Sequence, residues 1–518
     1  MATHDAHIPS SRSVHVQALI WLSAMSGSDG SAPSSEDDHG MDDSSDGDMP
    51  GLDDSDSEDN WSGVDDSSSD EGRPGMDSSS CASDSRRHDP RCVQAYAWVP
   101  TGWPGLSGCG PWRILLPCAG ADAVSRAFSE MSIDHELVGA WEIDAKAGAF
   151  LRRIFAKRSD QSNIYIGSVQ GDMTQVKAHD LPDADGVITG PPCPPWSASG
   201  NRANWSDSRA LPSKHLFKWL LHLCRRKRPL RFFIIENVRG VLGKAGRGYL
   251  DRLRAVLPRG WVLAVLRMNS HCVGQTRPRA YLVGWKSKKK LSPKQATNVI
   301  ATKLPPLPDR NLSDMLLDLP NENPKKVLTA QQTRNFRKWM RKLQPSLNDK
   351  RKKGMVSCFE VDRNPAKSRA GSRADDKIFT LRASGHPIWL VSLGEKHHGP
   401  SISRLLSVEE RCLLQGFSPG TIPPEASART IRQVMGNAMT VPVVGSVIGA
   451  TLLQLQAEKG DSSSDGDASS ENDVDSEEKG DSSSDGDSSS ENDDDSNDSA
   501  GESDGSSSEA DSGVESSS

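Results

Sequence analysis

One stretch of the sequence decides the fold of this chain: Asp185-Gly-Val-Ile-Thr-Gly-Pro-Pro-Cys193-Pro-Pro-Trp-Ser-Ala-Ser-Gly200. Its first apolar residues predict a short buried strand from Gly186 to Thr189, and the Gly/Pro-rich residues that follow can be neither helix nor central strand. A stiff turn therefore holds the thiol of Cys193 at the carboxyl end of a strand, the edge where open α/β sheets bind ligands. A single cysteine is more often a small buried hydrophobic residue, but this turn predicts a positioned and partly exposed thiol.

The net charge is unevenly distributed along the 518 residues. The whole chain carries −8, but residues 1–90 hold 21 acidic and 4 basic residues, and residues 461–518 hold 21 acidic and 1 basic residue. The segment between them, 91–460, therefore has a net charge of +29. A segment this basic favours a polyanionic partner, most often nucleic acid, over a core that merely carries solvated cations.

Both ends of the chain are poor in apolar residues and rich in Asp, Ser, Glu and Gly. Such a composition cannot offset the entropy cost of ordering, so we expect disordered acidic tails at 1–90 and 458–518, the second built on a repeat that starts at Gly460 and again at Gly480. The tails could fold back on the basic segment and compete with its polyanionic partner, bind basic chromatin proteins, or only keep the protein soluble.

The nine cysteines show neither the CxxC nor the HxxxH spacing of a zinc site. This argues against a structural metal and against a disulfide framework, and it fits a reducing compartment. The early apolar run from Val16 to Met25 is too short to span a membrane and lacks the basic leader of a signal peptide. We therefore expect an intracellular protein without a membrane partner.

Short apolar runs alternate with helical segments around the Cys193 stretch. Residues 112–117 predict a first strand, and a small-residue turn and a helix over 124–131 follow it, as in α/β folds that hold a nucleotide-like cofactor. Further elements predicted from the apolar pattern are strands over 137–141, 163–169, 230–238 and 261–269 and a helix over 215–225. The fold class predicted from this order is α/β.

Four motifs occur along this framework in the order Pro192-Cys193-Pro-Pro-Trp-Ser197, Glu236-Asn-Val238, Gln275-Thr-Arg277-Pro-Arg279 and Gly436-Asn437-Ala438. The set resembles the DNA (cytosine-5) methyltransferase family, in which the loop typically reads Pro-Cys-Gln-Pro-Phe-Ser. Here Pro194 replaces the Gln and Trp196 replaces the Phe. The resemblance covers about Trp112 to Leu455 and implies a Rossmann-like class I S-adenosylmethionine-dependent methyltransferase domain with a smaller, irregular target-recognition region.

The resemblance also implies a division of the chain. The catalytic domain would occupy 91–285, the target-recognition region 286–403, and the closing motifs of the catalytic domain 404–457. In the target-recognition region, basic loops with Trp339, Phe359 and Trp389 would supply backbone contacts and a few base contacts to DNA.

The resemblance assigns catalytic roles to four residues. Cys193 would add as thiolate to carbon 6 of a flipped-out cytosine, which makes carbon 5 nucleophilic, and Glu236 would stabilise the charge at ring nitrogen 3. Arg279 would hold the base carbonyl oxygen, whereas Arg277 would be structural or contact a phosphate. Ser197 and the loop after it would close behind the base.

S-adenosylmethionine is the implied methyl donor, and no metal is implied. The residues that would hold it are Cys118, Ala119, Gly120, Ala121, Asp122, Glu142, Asp172 and Asn437. The turn departs from the family pattern, because Asp122-Ala123 stands where Gly-Gly is usual. Glu142, at the tip of the second strand, suits ribose hydroxyls, and its alternative is a solvated helix-capping carboxylate.

Two other functions compete with methyl transfer to DNA. One is the same chemistry on RNA cytosine. The other is a non-catalytic DNA- or chromatin-binding protein with a decayed cofactor pocket, which the irregular 117–123 turn favours and the intact Cys193, Glu236 and arginines oppose. If the organism is eukaryotic, we expect the nucleus as the location, and the basic run starting at Arg225 would suit an import signal or a helix end.

Overall fold

A seven-stranded sheet forms the centre of the computed structural model, with strand order β3-β2-β1-β4-β5-β8-β6. The structure describes residues 98–99, 106, 110–155, 162–197, 204–246, 248–352, 354–366, 371–392 and 401–460. The strands of the sheet are β1 (Trp112–Pro117), β2 (His135–Glu142), β3 (Ile164–Ile166), β4 (Gly186–Thr189), β5 (Phe232–Val238), β6 (Trp261–Met268) and β8 (Arg279–Lys286). The predicted acidic tails and the apolar run from Val16 to Met25 lie outside the described residues, except that residues 458–460, predicted to begin the second tail, end the last helix.

The first five strands are parallel, and β8 runs antiparallel to both β5 and β6. Parallel strands need long crossovers, and the chain supplies them as helices, which explains the alternation of apolar runs and helical segments in the sequence. The order reverses between β1 and β4, so the crevice at their carboxyl ends is the ligand position expected for an open α/β sheet.

Helices cover both faces of the sheet. On one face, Ile114 and Leu116 of β1 pack with the helices α1 (Ala123–Glu130) and α2 (Ala145–Phe155). On the other face, Leu115 packs with α4 (Leu211–Leu223) and α5 (Tyr249–Val256). The remaining helices are α3 (Gly167–Gln170), α6 (Pro293–Ala301), α7 (Pro324–Val327), α8 (Ala330–Leu347), α9 (Val408–Leu413), α10 (Ala428–Asn437) and α11 (Val441–Gly460). This three-layer α/β/α arrangement confirms the predicted fold class.

The last helix, α11, is buried in the first of these layers. Gly445 lies against Trp98, because a Cβ at this glycine would come within 2.2 Å of the indole. The stretch Ala428–Lys459 is long and apolar enough to cross a membrane by composition, but 94% of its most apolar window is buried inside the fold. Its apolarity is therefore that of a core helix.

The predicted target-recognition region contains more regular structure than the sequence suggested. A four-stranded antiparallel sheet in the order β10-β9-β12-β13 occurs there, with its last strand ending just beyond residue 403, and β11 of this region pairs with β7, which lies in the preceding segment predicted as catalytic. These strands are β7 (Gln275–Thr276), β9 (Ser357–Glu360), β10 (Ser372–Arg373), β11 (Ile378–Phe379), β12 (Ile388–Ser392) and β13 (Ile402–Leu405). The helix α8 packs on the four-stranded sheet.

Trp339, Phe359 and Trp389 form the core between α8 and this sheet, and each is fully buried. The prediction that they lie in basic loops and contact bases is therefore wrong. The basic residues that surround them in the sequence hid an amphipathic helix, whose apolar face recurs every four residues.

The predicted elements appear within four residues of their expected bounds, but the third strand keeps less than half of its predicted length. The predicted strand over 163–169 is only Ile164–Ile166, and α3 begins at Gly167. Gly167 has a φ of +90°, a conformation that ends an extended strand and that glycine adopts readily.

Candidate active site

The Cys193 turn leaves the carboxyl end of β4 and closes as a short 3-10 helix, Pro194–Trp196. The Trp196 amide donates to the Cys193 carbonyl at 3.0 Å, so the thiol sits at the start of this helix. Pro194, which replaces the Gln of the family pattern, occupies a first helical position where a missing N–H costs no hydrogen bond. The Cys193 side chain is partly exposed, as the turn predicted.

An aromatic cluster fixes the turn from behind. The Trp196 indole is 1% exposed and meets Trp205 and Tyr249 edge-on, at centroid distances of 5.0 and 5.3 Å. The Trp196 carbonyl lies against Gly240, where a Cβ would come within 2.0 Å of its oxygen. The turn is thus packed between two neighbouring segments and leaves no room for a side chain at 240.

Glu236 and Arg279 lie beside this turn on adjacent antiparallel strands, where Val238 pairs with Arg279. The Arg279 Nε lies 2.9 Å from Oε1 of Glu236, and the two side chains are 13% and 11% exposed. Gly190 also approaches this carboxylate, since a Cβ there would be 3.3 Å from Oε2. The structure therefore brings a thiol, a carboxylate and a guanidinium together near the carboxyl ends of β4 and β5, as the motifs predicted.

The charges around Cys193 oppose one another. Burial raises the pKa of the thiol above its ordinary value, the Arg279 guanidinium lowers it, and the Glu236 carboxylate raises it. Arg277 contributes a smaller lowering. Because the Glu236 charge raises the thiol pKa, a substrate or proton donor that neutralises this carboxylate would lower the thiol pKa and favour ionisation of Cys193.

Arg277 has a structural position and is not placed to contact a phosphate. It is 3% exposed, and its guanidinium donates to the carbonyls of Leu381, Gly436 and Ala438 at 2.8, 3.1 and 2.9 Å. Burial lowers its pKa to about 9. Of the two roles predicted for Arg277, the structure therefore supports the structural one.

Arg277 also positions a predicted cofactor residue. The carbonyls of Gly436 and Ala438 flank Asn437, the last residue of α10, whose side chain is exposed. Gly436 packs directly against the Arg382 backbone, which is possible only because it lacks a Cβ; a Cβ there would lie 2.2 Å from the Arg382 carbonyl carbon. The two motifs therefore hold each other: the buried arginine of one fixes the exposed amide of the other.

The predicted cofactor turn joins β1 to α1 through left-handed residues. Cys118, Gly120 and Asp122 have φ values of 55°, 58° and 54°, and the Asp122 carboxylate accepts from the Ser125 amide at 2.8 Å as the N-cap of α1. Ala119 and Ala121 are buried. The irregular sequence of this turn is thus compatible with an ordered strand–turn–helix, with Asp122 doing the capping.

Cys118 is unlike Cys193. Burial raises the pKa of its thiol to about 12, and its Sγ lies 3.6 Å from the Met173 Sδ. A thiol in this state is inert, so Cys118 acts as a small core residue that shapes the turn.

Glu142 is held against this turn. Its carboxylate accepts from the amides of Gly120 and Asp144 at 2.7 and 2.8 Å. Burial raises its pKa although both hydrogen bonds lower it. The predicted ribose ligand is therefore already engaged by backbone, and only its second lone pairs can accept from a ligand.

Two further residues complete this part of the site. Asp172 accepts from the amide and the hydroxyl of Thr174, and although burial acts to raise its pKa, these bonds hold the pKa below its ordinary value. Ile143, which the sequence analysis missed, is 55% exposed directly after Glu142. Beside a carboxylate predicted to bind ribose, an exposed isoleucine would offer an apolar surface to a flat ring, and its position after the predicted strand-end acid was the available signal.

Comparisons with known proteins agree with these motifs. The family model described as C-5 cytosine-specific DNA methylase matches residues 116–452. The Type II methyltransferase M.BsuFI of Bacillus subtilis is 25% identical over 304 residues, which cover 57% of this chain and 64% of the relative. The Type II methyltransferase M.NgoPII of Neisseria gonorrhoeae is 25% identical over 309 residues, which cover 56% of this chain and 83% of the relative.

The chain thus spans slightly less than two thirds of the first relative's length. Among solved structures, the S. pombe Dnmt2 methyltransferase matches with a TM-score of 0.45 at 16% identity, over 67% of this chain and 99% of that one. No group of three or more side chains suited to a metal occurs among the described residues.

Proposed function

Because this chain belongs to the C-5 cytosine-specific DNA methylase family, we propose that it transfers a methyl group from S-adenosylmethionine to carbon 5 of a cytosine in DNA through a covalent adduct with Cys193. The observation that carries the proposal is the convergence of Cys193, Glu236 and Arg279 at one strand edge, with the guanidinium and the carboxylate 2.9 Å apart. The substrate and the adduct are inferences from the family and from this arrangement.

The roles of the three side chains follow from their charges. The Cys193 thiolate adds to carbon 6 of the cytosine, and the electron pair of the carbon 5–carbon 6 double bond makes carbon 5 the nucleophile that takes the methyl group. Loss of the carbon 5 proton to a base then expels the thiolate and restores the ring. Glu236 shares a proton with ring nitrogen 3, and Arg279 donates to the base carbonyl oxygen, so both stabilise the charge that develops on the ring. Before attack, while Glu236 still holds the proton that it passes to nitrogen 3, the carboxyl is neutral and no longer raises the thiol pKa, which favours ionisation of Cys193.

The residues around the β1–α1 turn fit S-adenosylmethionine. The turn has open space at Gly120, where a Cβ would meet nothing within 4 Å. The carboxylates of Glu142 and Asp172 suit hydroxyls and a cationic sulfonium centre, Ile143 suits the adenine ring, and the exposed Asn437 offers an amide. Bound there, the cofactor supplies an electrophilic methyl group.

The target carbon cannot be reached inside a duplex, so the cytosine must be turned out of the stack. The aromatic side chains packed against Trp196 keep the Cys193 thiol in place while the DNA strand deforms. We propose the same domain division as the sequence indicated, with catalytic segments at 91–285 and 404–457 around a target-recognition region at 286–403.

Methyl transfer from labelled S-adenosylmethionine to duplex DNA and to structured RNA tests the proposal. We expect incorporation into DNA cytosine, its loss in Cys193→Ser, and its retention in Cys224→Ala, which removes a buried thiol at the end of α4. Full activity of Cys193→Ser refutes the mechanism. Incorporation into RNA alone refutes the DNA substrate, and a folded chain that does not bind S-adenosylmethionine in calorimetry refutes the enzyme.

A further inference from the structure

The exposed face of α8 carries five cations and no carboxylate. Arg334, Arg337, Lys338, Arg341 and Lys342 are all exposed, and no ion pair joins them to another described residue. Between residues 324 and 352 the sequence holds ten basic residues and one acidic residue. The opposite face of α8 is buried, so the helix has one apolar side and one cationic side.

The five cations repel one another along the helix. Arg334 and Lys338, Arg337 and Arg341, and Lys338 and Lys342 are each four residues apart, a spacing at which like charges destabilise a helix. Helices that only face water usually alternate charge signs at this spacing. A face without any acidic side chain therefore indicates a partner that supplies negative charge.

The helix is held rigidly. Its N-terminus has a capping box between Thr329 and Gln332, the Asn335 amide donates to the Val361 carbonyl at 3.0 Å, and the Trp339 indole donates to the Glu360 carbonyl at 3.1 Å. The Lys342 ammonium lies 4.9 Å from the Trp339 ring centroid. The cations are thus presented in a fixed row, about 12 Å long from 334 to 342 at the rise of an α-helix.

A short chain of contacts joins this helix to the active site. The carboxylate of Glu360, next to α8, accepts from Arg382 at 2.5 and 2.7 Å. The carbonyl of Leu381, the residue before Arg382, accepts from Arg277, whose charge lowers the pKa of Cys193. A nucleic acid with one base at Cys193 would extend beyond the pocket over neighbouring surfaces. The helix α8 packs on the four-stranded sheet, which these contacts connect to the active site.

We propose that the cationic face of α8 binds the sugar-phosphate backbone of duplex DNA outside the catalytic pocket. The proposal rests on the proposed function, since its partner is the substrate named there. Arginine guanidinium groups bind phosphate oxygens in pairs, and three of the five cations are arginines. The site contributes affinity without base specificity, because it contacts phosphates alone.

The test compares two variants of the full-length protein that lose the same charges. One is the triple variant Arg337→Gln, Lys338→Gln, Arg341→Gln on α8. The control is Arg225→Gln, Lys227→Gln, Arg228→Gln, three exposed cations just before β5 and thus at the sheet edge opposite Cys193. Both sets remove two arginines and one lysine and leave the proposed catalytic residues intact.

Duplex DNA binding is measured by fluorescence anisotropy over a range of salt concentrations. For the α8 variant we expect a Kd raised about tenfold at low salt and a plot of log K against log salt that is shallower by about 2 to 3, or about 0.9 per lost phosphate contact. The control should match the wild type. An α8 variant whose Kd and slope equal those of the wild type overturns the proposal.

Tighter DNA binding by the α8 variant also overturns it, and would assign the face to the acidic segments of this chain. Methyl transfer at saturating DNA separates this proposal from the proposed function. A wild type that transfers methyl groups, with an α8 variant unchanged in binding, refutes the α8 site alone. A wild type that binds DNA through α8 without transferring methyl groups refutes the proposed function alone.

Discussion

Alanine at Gly240 should disable the active site without unfolding the protein. In the structure a Cβ at 240 would lie 2.0 Å from the Trp196 carbonyl oxygen, whereas real Cβ contacts essentially never fall under 3.0 Å. One of the two backbones must therefore move by at least ~1 Å, and a shift of that size at reacting groups costs about 100-fold in rate. Because the Trp196 amide is bonded to the Cys193 carbonyl, the shift reaches the thiol.

The assay is single-turnover methyl transfer to duplex DNA, with S-adenosylmethionine affinity measured in parallel by calorimetry. The matched control is Gly243→Ala in the same turn, where the nearest atom to a Cβ is 3.7 Å away and φ is −98°. We expect Gly240→Ala to lose about 100-fold in rate with unchanged cofactor affinity, and Gly243→Ala to retain the wild-type rate. A Gly240→Ala protein as fast as Gly243→Ala would refute the claim that this contact positions Cys193.

Three further experiments test other parts of the structure. Arg277→Met leaves three buried carbonyls without their donor, so the free energy of unfolding in urea should fall by roughly 3 kcal/mol; a value within error of the wild type would show that the residue is not structural. Burial raises the pKa of Cys193, the Arg279 charge lowers it and the Glu236 charge raises it. At a pH below the thiol pKa, alkylation of Cys193 by iodoacetamide should therefore be slower in Arg279→Gln and faster in Glu236→Gln than in the wild type. The opposite order of rates would contradict these charge effects. Glu410→Ala removes the carboxylate that pairs with the buried Arg404 guanidinium through bonds of 2.7 and 2.8 Å. The free energy of unfolding should therefore fall by about 3–5 kcal/mol, and an unchanged denaturation midpoint would contradict this.

The positions of Cys193 and Glu236 in the candidate site were predictable because each follows directly from an apolar run. Strand ends can be read locally, and parallel strands bring their carboxyl ends to one edge, so the proximity of Cys193 and Glu236 follows from sequence.

Contacts between distant segments could not be predicted in this way. Arg277 and Arg279 alternate along the chain, yet one is buried among carbonyls from α10 and the other faces Glu236. Nothing local distinguishes them, because the difference comes from a segment about 160 residues away. The engagement of Glu142 by the Gly120 amide is hidden for the same reason.

In the predicted target-recognition region, the high density of basic residues led to the wrong prediction of loops. Five exposed cations on α8 interrupt the apolar spacing of Trp339 and Leu343, so the segment reads as basic loop. Only packing against β9 and β12 shows which side chains face inward. Tertiary burial overrides the local impression here.

Covalent capture of Cys193 tests the central claim most directly. Duplex DNA containing 5-fluorocytosine is incubated with the full-length protein and S-adenosylmethionine, because the fluorine at carbon 5 prevents the last elimination and preserves the adduct. We expect a denaturant-resistant protein–DNA complex, with the nucleotide on the peptide that contains Cys193 and no complex in Cys193→Ser. Methyl transfer to ordinary DNA without any such complex, or an adduct on another cysteine, would contradict it.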